Sequence, residues 1–316
     1  MTDDDAMLSR REWILGIGAA AVGAPLLNAC QSSAARPSPA VAPPPIRFGY
    51  ASITWGGNDE QAIDEIAALG FRGIQLRSNV VAKYADRPAA LRELLERRGL
   101  TLVALSSGNL GLDPAVEREQ LDLHTRHAAF VRQLGGLYLQ IIDQRPSGRA
   151  VTDADYRRLG YLLTELGKRT ADLGIPLGYH HHMGALGERP HEIRAIMAAA
   201  DPRYVKFQLD TAHYQQGGGD PVQAVKEYAD RLLFLHIKDV EAPVPGATGD
   251  PARSYRFVEL GRGKVDLQRV FDALHDVKFA GWAIVELDSV PGGTRSPSEA
   301  AMINKKYLEE VLKFRI

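Results

Sequence analysis

Cysteine is almost missing: Cys30 is the single one in 316 residues, so no disulfide framework can form. Excess charge is missing as well. The chain sets 38 Lys and Arg against 39 Asp and Glu, a formal net charge of -1, and shows no basic stripe with interleaved aromatic residues. That balance excludes a nucleic-acid footprint and leaves a small molecule as the expected partner. The apolar stretch from Ile14 to Leu27 falls short of the ~20 residues a membrane-spanning helix needs.

What is present begins with a leader. Ser9-Arg10-Arg11 precedes the Ala- and Gly-rich apolar run, the order of a twin-arginine export signal, and Leu27-Asn28-Ala29-Cys30 reads as a lipobox with Asn28 an unusual residue in it. A buried N-terminal helix is the competing reading. Residues 1–30 are therefore expected to direct export to the periplasm or cell envelope, with lipid on Cys30 as the only membrane contact. Residues 31–45 are Ser, Ala and Pro with almost nothing to bury, a flexible tether. Without the first 30 residues the balance is 36 basic against 35 acidic residues, a formal +1. Residues 46–316 remain for one folded domain, about 270 residues and enough for a large core.

Within that domain short apolar runs alternate with amphipathic stretches. The expected strands are Ile46 to Ile53, Gly73 to Leu76, Leu100 to Leu105, Leu137 to Ile142, Ile175 to Tyr179, Val205 to Leu209, Leu232 to Ile237 and Trp282 to Leu287. Helical periodicity lies between them, as in Gln61 to Leu69, Leu91 to Arg98, Tyr156 to Leu173 and Leu267 to Leu274, and Gly70, Gly99 and Gly174 stand where helix C-caps stand. Eight strands in alternation with helices predict a (β/α)8 barrel, an α/β TIM barrel of a single domain, with its active site at the strands' C-terminal ends.

His180, His181, His182, His213 and His236, with Asp210 and Glu286, fall at those ends. Imidazole and carboxylate together suit one divalent ion of the Mn, Co, Zn or Fe type. Alternation along a strand sends His180 and His182 one way and His181 the other. His124, His127, His191 and His275 lie in expected helices and are read as surface or packing residues. Trp55 is either a face for a sugar ring or a plain core tryptophan.

The segments YHHHMG (Tyr179 to Gly184), LDTAH (Leu209 to His213), HIKDV (His236 to Val240), FVELGRGKVDL (Phe257 to Leu267) and GWAIVELD (Gly281 to Asp288) resemble the xylose-isomerase-like barrel proteins, the sugar phosphate isomerase/epimerase group, and within it the inosose dehydratase-like members. The resemblance implies metal ligands at His180, Asp210, His236 and Glu286, and substrate-contacting or proton-transferring roles for His182 and His213. Two positions depart from it: His180 replaces the glutamate of many relatives, and Gln75 stands where relatives usually carry Glu.

A divalent ion chelated by a ketone and a neighbouring hydroxyl acidifies the adjacent C–H, and a base in reach removes the proton. Isomerisation, epimerisation and dehydration all follow from that step. Glu286 is the expected base, with Lys238 or His182 as the acid. The expected function is an isomerase or epimerase acting on a free keto-sugar, glycoside or cyclitol. Dehydration at the same site and a non-catalytic sugar-binding lipoprotein are the alternatives. An endonuclease IV-type reading fails for want of histidines in LRSN, SSGN and Lys238-Asp239-Val240.

Overall fold

Among the described residues ten strands form where the β-branched and aromatic runs lie: β1 (Arg47–Ala51), β2 (Gly73–Arg77), β3 (Thr101–Leu110), β4 (Tyr138–Asp143), β5 (Leu177–His180), β6 (Val205–Asp210), β7 (Leu232–Ile237), β8 (Asp239–Glu241), β9 (Arg256–Val258) and β10 (Trp282–Val285). Their arrangement comes from a computed structural model that describes residues 46–316 except Pro245, Ala247, Gly249, Pro251 and Ala252. The expectations for Arg10, Arg11, Cys30 and the tether lie outside the described residues. Among the described residues no helix is long and apolar enough to cross a membrane.

Eight of the strands close into a parallel barrel in the order β1-β10-β7-β6-β5-β4-β3-β2. This is the expected TIM barrel. Its helices carry conventional start signals: Pro occupies the first turn of Pro88–Arg97, Pro190–Ala199, Pro221–Glu227 and Pro297–Lys306, and Thr152 with Asp155 makes a capping box for Asp153–Asp172. Gly70, Gly99 and Gly174 end their helices at φ 94°, 64° and 72°, the left-handed region that favours glycine.

Element boundaries differ from expectation where side chains override the pattern. β1 stops at Ala51 because Ser52–Trp55 turns into a short helical segment, and β3 runs on to Leu110 through a register shift between Ser106 and Asn109. The antiparallel pair β8–β9 was not expected at all. It is held by Asp239, whose carboxylate accepts from the backbone N–H groups of Val240, Gly261, Gly263 and Val265 at 2.8–3.0 Å.

The large buried residues, among them Phe71, Ile74, Leu105, Leu163 and Ile196, fill the layer between barrel and helices. The barrel lumen is different. A second apolar cluster with Val103, Phe234, Trp282 and Ile284 packs inside it, and at the alternate positions further along the strands Gln75, Gln140, His180, Asp210, His236 and Glu286 gather, polar and buried.

Candidate metal centre and active site

β5, β6, β7 and β10 are neighbouring staves, so residues far apart in the chain meet at one end of the barrel. Register pairs Asp210 with His236 across β6 and β7, while Glu286 follows directly after β10, its N–H donating to Ile237 O at 3.1 Å. One ligand-type atom each from His180, Asp210, His236 and Glu286 lies within 4.8 Å of the others, and all four residues are buried. The structure thus brings together the four residues that the resemblance implies as ligands.

Each ligand atom is aimed by a contact on its other side. Asp210 Oδ1 accepts from His213 N at 2.8 Å, which leaves Oδ2 facing the cluster. His236 Nε2 meets Gln75 Oε1 at 2.8 Å, and since an amide oxygen only accepts, Nε2 carries the proton. Gln75 is itself fixed, donating Nε2–H to Gln140 Oε1 at 2.6 Å. His236 Nδ1 then faces Asp210 Oδ2 at 3.4 Å and Glu286 Oε1 at 3.3 Å without the alignment of a hydrogen bond.

His180 Nδ1, Asp210 Oδ2 and His236 Nδ1 are all buried and unpartnered. Buried polar atoms are normally satisfied, and three orphans converging on one point fit a cation as their shared partner. Two imidazoles and two carboxylates suit Mn, Co, Zn or Fe better than an all-oxygen ion such as Ca. Electrostatics agree. Burial alone would lower the pKa of His236, yet the carboxylates of Glu286 and Asp210 outweigh it and raise it to about 9. Burial would raise the Glu286 carboxyl, but the charges of His236 and Lys238 hold it well below the usual range. For His180, burial and then the neighbouring His236 and His182 push the pKa well down, leaving a neutral imidazole with a free lone pair. The point between these groups therefore favours positive charge.

A cavity of about 500 Å³ opens beside the cluster, lined by His180, His182 and Glu286, with Gln75 and Gln140 on the opposite staves. His182 shares that side with His180, whereas His181 turns away, stacks on Phe207 and accepts from Asp210 N at 3.1 Å. Alternation sorted these three as expected. His182 Nδ1 donates to Met183 O at 2.8 Å, which assigns the exchangeable lone pair or proton to Nε2.

Three other expected site residues lie off the cavity wall. His213 is fully buried behind His182, with ring centroids 3.8 Å apart, and accepts from Met183 N at 3.2 Å. Lys238 is fully buried and pairs with Glu286 Oε1 at 3.0 Å and Asp288 Oδ1 at 2.6 Å, its ammonium 3.9 Å from the Phe257 ring centroid. Both support groups that reach the cavity. Trp55 takes its core alternative: it packs edge-on to Tyr50 and donates Nε1–H to Glu65 Oε2 at 2.7 Å, leaving Ser52 and Ile53 on the cavity wall.

The structure adds Gln140 and Asp143 to the wall. Gln140 stands out in YLQIID as an amide in an apolar strand, a legible signal. Asp143 Oδ2 takes the Tyr179 hydroxyl at 2.6 Å and Gly187 N at 3.2 Å, and Oδ1 takes Leu186 N, so it fastens the loop after β5. Burial raises its pKa despite those donors. His191 and His275 are exposed, while His124 and His127 are buried against Ser107.

Comparison with known proteins bears on the fold and the family. Residues 63–310 match a family model described as xylose isomerase-like TIM barrel. Inosose dehydratase from Lacticaseibacillus casei is 29% identical over 297 residues, covering 84% of this chain and 97% of that protein. Inosose dehydratase 2 from Bacillus cereus is 28% identical over 295 residues, with 84% and 97% covered. Among solved structures, the IOLI protein with a binding zinc atom superposes with a TM-score of 0.70 at 18% identity, covering 86% of this chain and all of that one. D-psicose 3-epimerase in the presence of D-fructose gives 0.67 at 20% identity, with 85% and 100% covered. At those identities the solved structures speak to the fold.

Proposed function

Because the chain belongs to the xylose isomerase-like TIM barrel family, we propose that it is a metal-dependent hydro-lyase that removes water from a keto-sugar, keto-glycoside or ketocyclitol. The carrying observation is the set of converging, unpartnered ligand atoms beside a cavity flanked by two acid–base groups, Glu286 and His182. A divalent ion at His180, Asp210, His236 and Glu286 would supply Lewis acidity to a carbonyl oxygen. Glu286, ionised and braced by Lys238, takes the proton from the carbon next to the carbonyl. His182 Nε2, protonated, gives its proton to the β-hydroxyl as the C–O bond breaks, so water leaves and an α,β-unsaturated ketone remains.

Epimerisation at one carbon needs an acid–base group on each of its faces, a pair that Glu286 and His182 would have to form without the second glutamate that the resemblance leads one to expect. Asp143, on the far wall, has both oxygens engaged, and His180 stands where many relatives carry a glutamate. Elimination needs only the base and acid present, and it also agrees with the names of the curated relatives. Turnover of inososes and keto-glucosides in heavy water by the metal-loaded protein decides between them. Elimination predicts water loss and an ultraviolet-absorbing enone, abolished in Glu286→Gln. Deuterium incorporation without water loss would return the reaction to epimerisation, and conversion with neither would mean a hydride shift and sink the proton-abstraction mechanism.

We further propose that the enzyme works outside the cytoplasm as a lipoprotein, which favours a free sugar or glycoside over a sugar phosphate. Arg10, Arg11 and Cys30 support this. Replacing both arginines by lysine should leave precursor in the cytoplasm; wild-type protein fractionating there with residues 1–30 intact would overturn the proposal.

A further inference from the structure

The cavity beside the ligand cluster adjoins a second hollow of about 690 Å³, and Gln144 and Arg145 line both. The first cavity already lies in the range of small-molecule sites, ~300–1,000 Å³. One sugar ring docked at the cluster fits inside it, and nothing in the chemistry at Glu286 and His182 calls for a second, larger compartment.

We propose that the substrate is a two-unit molecule, a disaccharide-like keto-glycoside, with its reacting ring at the cluster and its second sugar in the hollow between Gly111 and Arg149. The place of the reacting ring rests on the function proposed above. The hollow has the surface of a sugar subsite rather than an anion subsite, because its cations are already neutralised. Arg149 is paired with Asp155 through two hydrogen bonds of 2.8 and 2.6 Å, and Arg145 spans Glu192 at 2.9 Å and Ala185 O at 3.0 Å. A phosphate or carboxylate tail would meet cations whose charge is already balanced by Asp155 and Glu192.

What the hollow offers instead is amide and hydroxyl chemistry beside a small apolar patch. Gln120 Oε1 accepts from Gly111 N at 2.6 Å, which fixes this amide side chain in the wall of the hollow. A Cβ placed on Gly111 would lie 3.3 Å from Gln120 Oε1 and 3.5 Å from Gln144 Oε1, so two side-chain amides converge over a backbone with no side chain of its own. Leu112 and Pro114 supply the apolar contact that the C–H face of a pyranose needs, and Ser147 stands exposed at the rim.

Binding of unreactive sugars tests the hollow without any need for turnover. Calorimetry on the Mn-loaded full chain would compare methyl α- and β-glucoside with cellobiose, maltose, lactose and trehalose. At least one disaccharide should bind about tenfold more tightly than either methyl glucoside, the worth of one or two made hydrogen bonds. Ser147→Trp, a change at an exposed rim position, should erase that preference and leave methyl glucoside binding unchanged. Disaccharides that bind no more tightly than the methyl glucosides, or a preference that survives Ser147→Trp, overturn the proposal. A failed elimination assay with the preference intact would instead count against the reaction and leave the subsite standing.

Discussion

At the scale of single residues, the site is a set of atoms made available by what occupies their opposite sides. His236 shows the logic. Its Nδ1 can serve a cation only while Nε2 keeps its proton, and the Gln75–Gln140 relay enforces that tautomer. Gln75→Leu removes the acceptor, leaves a buried N–H unpaired and lets the ring invert. Metal affinity should fall ~10–100-fold, the usual cost of losing such a supporting contact, read by competition against a chelator. Unchanged affinity would mean that Gln75 merely fills the lumen. The metal-type residues were legible in the sequence because they end apolar runs and repeat at alternate positions. Gln75 was visible only as a departure from the family's Glu, and its role depends on a neighbour from β4 that no local pattern reveals. Trp55 was ambiguous for the same reason: a tryptophan after a strand carries no sign of which side of the barrel wall it takes.

At the scale of elements, β3 shows where reading by alternation stops. Its register shift between Ser106 and Asn109 carries Gly108 and Asn109 onto the cavity wall and turns Ser107 outward against the helix Glu117–Gln133. There Ser107 Oγ bonds to His124 Nδ1 at 2.7 Å and His127 Nδ1 at 2.8 Å, and His124 Nε2 reaches Asn109 O at 3.2 Å. These histidines are packing residues, as their helical positions suggested, and they pin the irregular end of a strand. The barrel itself was readable from the strand–helix alternation. β8 and β9 were not, since three residues hold no period and Asp239 rather than a hydrophobic pattern fixes them. The buried polar seam at Ser107 has a pH signature. Burial lowers the pKa of His124 from 6.5 to about 4. Above pH ~6.5 the ring is neutral in both states and its contribution is complete; between there and pH 4 only the unfolded chain takes up the proton, so stability falls with falling pH. His124→Asn keeps a hydrogen-bonding group and removes the titration. Its stability should decline less steeply from pH 6.5 to pH 4.5, by up to ~1.4 kcal/mol per pH unit, in urea melts. Parallel curves for the two proteins would show that His124 is protonated in the fold.

At the scale of the whole molecule, the ligand cluster ties together staves contributed by the second half of the chain, and β10 closes the barrel on β1. An ion held there would join β5, β6, β7 and β10 only when all four stand in register, so it would bind the closed barrel and find no counterpart site in the unfolded chain. Without it, Asp210 Oδ2 and His236 Nδ1 stay buried without a hydrogen-bond partner beside the Glu286 carboxylate, a cost carried by the fold. Metal binding should therefore be read directly as stability. At a free-ion concentration ~100 times Kd the gain is about 2.7 kcal/mol. For a domain of this size that corresponds to a rise in Tm of about 5 °C. Mn, Co, Zn and Fe should each raise Tm of chelator-stripped protein, a chelator should reverse the rise, and Asp210→Ala should abolish it while ending the conflict between carboxylates in the stripped form. The relative order of Tm among the ions then reports which the site prefers, since geometry and ligand type, not charge, separate them. A Tm indifferent to all four ions and to the chelator would remove the metal from this barrel, and with it the elimination chemistry proposed at Glu286 and His182.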